Sequence, residues 1–163
     1  MAALISFVSA IAAVSVMAGP TPDDPPLGTR PDKIFICREG KNNGGKLIGN
    51  ISRNKVTEYI NNVGIPLDTA SGFPKPFVNN MGLKFEIGCG EEVYQLPVLA
   101  NGEPFDVNKK INQDTANENN PGRLRVFYDW GQNWSMWYCG IGVVPDDKDP
   151  GDVHLCTAED DNF

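Results

Sequence analysis

The chain has 163 residues, with 21 acidic and 14 basic side chains, one histidine and four cysteines, giving a net charge of -7. That length fits a single domain, and 40% hydrophobic content is enough for one modest core. The acidic balance excludes a protein that grips duplex DNA by charge alone. One histidine and four widely spaced cysteines exclude a two-imidazole site and a standard zinc finger, so neither metal nor cofactor is expected.

Residues 1–18 carry no charged side chain, and Val16-Met17-Ala18 precede Gly19 and Pro20. A short apolar run ending in small residues predicts a secretory signal peptide. The protein is therefore expected outside the cell, as a monomer with no membrane anchor. Residues 19–32 are rich in Pro, Gly and Asp and predict a flexible leader, leaving 33–163 as the folded domain. In an oxidising compartment Cys37, Cys89, Cys139 and Cys156 predict two disulfides, with three connectivities open. Asn50-Ile51-Ser52 and Asn133-Trp134-Ser135 are N-glycosylation sequons.

Residues 33–37 form the first strand candidate, and 40–45 a loop. Ser52 then precedes Val56, Tyr59, Ile60 and Val63 at helical spacing, with Gly64 as the stop. Residues 81–87, 93–99, 124–130, 135–144 and 153–156 are strand candidates separated by turn formers. The polar stretch 101–120 predicts an exposed loop, and the acidic stretch 145–152 a solvated one rather than a calcium loop. The expected fold class is α+β, one helix packed on one antiparallel sheet. Alternation puts Tyr94, Leu96, Val98, Leu124, Val126 and Tyr128 toward the helix. In 135–144 it keeps Trp137, Cys139, Ile141 and Val143 in one phase. Gln95 and Arg125 fall on the opposite side, expected to be the more polar face.

Four islands, in this order and after a helix, resemble the small secreted guanyl-specific ribonucleases of fungi. Phe73-Pro74-Lys75-Pro76-Phe77, followed by Asn79, Asn80 and Gly82, is similar to that family's Tyr-Pro-His-x-Tyr segment. Tyr94-Gln95-Leu96-Pro97-Val98-Leu99 is similar to its Tyr-Glu-Phe-Pro-Ile-Leu strand, and Pro121-Gly122-Arg123-Leu124-Arg125-Val126 to its Pro-Gly-x-x-Arg-Val strand. The fourth island is the ending at Cys156. The resemblance implies a microbial-ribonuclease-like fold and a bridge from Cys37 to Cys156, which leaves Cys89 with Cys139.

The family's chemistry does not carry over. Transphosphorylation of RNA needs a base for the 2′-hydroxyl, an acid for the leaving oxygen and a cation for the phosphorane. The positions that match the family's base, assisting histidine and acid hold Gln95, Lys75 and Val144. Arg125 keeps the cation, and Val153 replaces a phenylalanine that lines the site. Losing one acid or base costs roughly 10² to 10⁴ in rate, and here both are gone. His154 falls out of phase with Val153 and is expected to point away from that face.

Plant-pathogenic fungi also secrete ribonuclease-like effectors that lack the catalytic residues and open on an aromatic-x-Cys motif. Phe35-Ile36-Cys37 has that form, and Gln95 has their Gln for Glu. This resemblance implies binding to a host protein or RNA, after secretion and entry into host cells. The binding positions it implies are Phe73, Lys75, Phe77, Asn79, Asn80, Gln95, Arg125 and Val153. The rival expectation is a divergent ribonuclease using Lys75, Arg125 and His154; a third is an adhesive cell-wall domain.

Overall fold

The structure is a computed structural model that describes residues 32–64, 68–90, 92–111, 119–130, 136–145 and 152–159. All of them belong to the unit Pro31–Phe163. The expected signal peptide at 1–18, the leader up to residue 31, Asn133 and the acidic run 146–151 lie outside the described residues.

Helix α1, Arg53–Val63, starts where the sequence places its cap. The Ser52 hydroxyl accepts the Lys55 N–H at 3.1 Å and donates to the Asp32 carboxylate at 2.6 Å. Asp32 also accepts the Asn54 N–H, so a negative charge meets the positive end of the helix. Gly64, at φ 64°, ends it by donating its N–H to Ile60. Val56, Tyr59 and Ile60 point into the core.

Two antiparallel sheets accompany the helix, giving an α+β fold. Strands β1 (Ile34–Arg38), β2 (Leu47–Ser52) and β8 (Thr157–Ala158) form one sheet in the order β2-β1-β8. Strands β3 (Lys75–Val78), β4 (Glu92–Pro97), β5 (Leu124–Trp130), β6 (Met136–Val143) and β7 (His154–Leu155) form the other, in chain order. A 3-10 turn at Lys41–Asn43 links β1 to β2. Its buried Asn43 side chain donates to Ile36 O at 2.6 Å and Thr157 Oγ1 at 2.8 Å, tying the turn to β1 and β8. Buried polar groups persist only when paired in this way.

Several expectations need correction. The single sheet is two, because 47–52, with Leu47 exposed and Gly49 buried, pairs with β1 without clean alternation. Residues 81–87 form no strand. The Asn79 side chain clamps both the N–H and the carbonyl of Leu83 at 2.7 Å, and Gly82 turns the chain at φ 69°. The stretch 101–120 is not wholly exposed. Pro104 bridges Val98, Phe105 and Val107 are buried, and Tyr59 donates its hydroxyl to Phe105 O at 2.8 Å.

The face opposite the helix is not polar either. Val93, Phe127 and Cys139 are buried there, with Phe77, Phe85, Cys89, Val153 and Leu155 packed against them. The single phase expected along 135–144 breaks at a bulge. Phe127 pairs Gly140 while Tyr128 pairs Tyr138, so Cys139 is the extra residue. Tyr138, Ile141 and Val143 thereby join the main core and Cys139 the far-face cluster. Both bridges follow the expected pairing, Cys37 with Cys156 and Cys89 with Cys139.

Candidate functional site

The antiparallel register brings Lys75, Gln95 and Arg125 onto one face of the larger sheet, while Phe73 belongs to the main core. Lys75 on β3 lies opposite Gln95 on β4, and Gln95 lies opposite Phe127 on β5. Arg125 lies one step along the same face, opposite Pro97 and Gly142. Gln95 is half-buried, and its amide donates to Pro76 O across the strands at 3.5 Å. An amide cannot take up a proton near neutral pH, so Gln95 gives this face a polar contact and no base.

Arg125 is where the structure is least like a solvent-facing phosphate clamp. The residue is 7% exposed. Its Nη1 donates to the carbonyls of Pro121 at 3.0 Å, Gly122 at 3.0 Å and Leu124 at 2.8 Å. Burial pushes its guanidinium down to about 10, which still leaves it charged at neutral pH. Phe73 supports two cations, with Arg125 Cζ at 5.3 Å and Lys75 Nζ at 4.5 Å from its ring centroid. Phe73 is itself buried, edge-on to Phe105. The cation is thus built into the scaffold and braces the segment leading into β5.

No proton carrier faces Arg125 from β6. A Cβ at Gly142 would lie 2.6 Å from His154 O and 2.9 Å from Phe127 Cε2, so no side chain fits there. Val144 follows on, its N–H donating to Arg123 O at 2.9 Å and its carbonyl accepting from Arg123 Nε at 3.2 Å. His154 pairs in register with Val143, whose side chain is in the main core. Its ring nitrogens lie 2.9 Å from Arg38 O and 3.2 Å from Asp152 O. Phe77 stacks near Phe127 at 4.9 Å, and Val153 packs in the same cluster. The Asn79 amide is spent on Leu83, while the Asn80 N–H turns back to Val78 O.

Beside this face lies an open cleft of about 710 Å3, lined among others by Lys41, Met81, Leu83, Lys84, Val153 and His154. Among the described residues, no group of three or more His, Cys, Asp or Glu side chains is placed to hold a metal ion. The sequence reading missed Phe85, whose ring sits 5.3 Å from Phe127 and completes the aromatic cluster. Compared with known proteins, the chain matches no family model, no curated protein and no solved structure.

Proposed function

We propose that this is a secreted, ribonuclease-like binding protein that lacks the catalytic acid and base, in the manner of the effectors of plant-pathogenic fungi. Its ligand is a host protein or RNA, and Lys75, Gln95 and the neighbouring cleft supply the contacts. The observation that carries the reading is the row Lys75, Gln95, Phe127 and Gly140 with its neighbour Arg125, which holds no carboxylate and no imidazole, and so no free base at neutral pH. The inward guanidinium and the closed position at Gly142 support it further. Both disulfides fit an oxidising compartment.

A side-by-side assay of one purified batch tests this reading. Single-stranded RNA should remain intact while its binding, or the capture of a host protein, is scored separately. The rival, a divergent ribonuclease, requires cleavage that disappears with His154→Ala. Cleavage with that dependence overturns the proposal.

A further inference from the structure

The four cysteines stand in unlike surroundings. Cys37 and Cys156 belong to the main core and are 0% and 7% exposed. Cys139 is equally buried, but its partner Cys89 is half-buried at the end of the loop 79–90. That loop forms no strand. Its far half is held by the Glu86 N–H on Cys139 O at 3.0 Å and by the Gly90 N–H on the Asp129 carboxylate at 3.0 Å. An ion pair from Arg53 to Glu86 at 2.7 Å adds a third tie. Between these ties Ile87 is fully exposed, and Gly88 lies against the half-exposed Trp137 ring. Phe85 of the same loop caps Phe127 at 5.3 Å and Phe77 at 6.4 Å.

Thiol–disulfide exchange requires a thiolate to reach a sulfur. For a pair inside the main core, access needs opening on the scale of the whole fold; for a pair at the end of a thinly tied loop, local opening suffices. We propose that Cys89–Cys139 is a thiol-exchange site, a latch that low-molecular-weight thiols open while Cys37–Cys156 stays closed. A thiolate attacks the Cys89 sulfur, forms a mixed disulfide and expels the Cys139 thiolate, which takes a proton from water. A second thiol attacks the mixed disulfide, frees the Cys89 thiol and leaves as the oxidised thiol dimer. Two thiols are oxidised and one protein disulfide is reduced. Without the bridge, loop 79–90 keeps only its polar ties and lifts Phe85 from Phe77 and Phe127. The order of reduction stands on burial and loop anchoring. Its use as a gate, widening the face in a reducing host interior, rests on the binding function proposed above.

The test uses the folded full chain, titrated at neutral pH with reduced glutathione, quenched with iodoacetamide and peptide-mapped. Cys89 and Cys139 should be alkylated at thiol concentrations about tenfold below those needed for Cys37 and Cys156. In the singly reduced protein, amide exchange should quicken across 79–90 and stay unchanged in α1 and β5. Joint opening of both pairs, prior opening of Cys37–Cys156, or selective reduction with unaltered exchange in 79–90 each overturns the latch. None of these readouts involves RNA or a host protein, so failure of the binding function is scored independently.

Discussion

A single guanidinium shows how a side chain can keep its identity and change its task. Arg125, which the sequence resemblance would cast as a phosphate-steadying cation, is buried and its Nη1 serves three backbone carbonyls. Removing it strands those acceptors; Nη1 has two hydrogens to share among them, and a hydrogen bond from a charged donor contributes about 1.5 to 3 kcal/mol. Arg125→Ala should therefore lower unfolding free energy by about 3 kcal/mol in urea titrations; a loss under about 1 kcal/mol would show that the carbonyls are served otherwise. Gln95 makes the opposite test. Gln95→Glu places a carboxylate across from Lys75, and opposite charges in such pairs stabilise by about 0.2 to 1 kcal/mol. The variant should be slightly more stable than its parent and still leave RNA uncut, because no acid faces it from β6.

Elements were legible in proportion to how regular they are. The helix was readable from Ser52 to Gly64, since cap, spacing and stop agree. Strands β4, β5 and β6 followed from alternation, but the bulge at Cys139 reverses the side-chain phase, which periodicity alone does not encode. The edge strands β2 and β3 were hidden by Gly49 and Pro76, residues that weaken a strand pattern. The far-face cluster escaped because Phe85 comes from an irregular loop with no period to read. The reading of Gln95 and Val144 as inactive positions rests on the sequence resemblance alone, whereas the inward turn of Arg125 depends on tertiary contacts. Packing between β6 and β7 gives a check at this scale. Gly142→Ala drives a methyl toward His154 O and Phe127, and overpacking of this kind costs about 2 kcal/mol. A denaturation midpoint unchanged from the parent would refute that tight approach.

Across the whole molecule, two bridges and three buried phenols set the limits of stability. On a chain-entropy account the bridges, spanning 119 and 50 residues, contribute about 5 and about 4 kcal/mol. Burial raises the phenols of Tyr59, Tyr128 and Tyr138 well above their usual range. The unfolded chain releases those protons near pH 10, at about the ordinary phenol value, while the folded chain retains them. Above that pH the unfolded state binds fewer protons, so stability falls as pH rises. Arg125 acts in the opposite sense over the same range, because its folded value is depressed, but it is one group against three. Phenolate absorbance and loss of ellipticity should rise together in an alkaline titration. Ionisation of all the tyrosines before any unfolding would contradict this.

The proposed loss of the catalytic base and acid from a ribonuclease-like face is tested most directly by product chemistry. Labelled single-stranded RNA incubated with the purified protein at neutral pH should give no 2′,3′-cyclic phosphate ends above the buffer control. Cyclic phosphate ends that form with the protein and vanish in the Arg125→Lys or His154→Ala variant would contradict it.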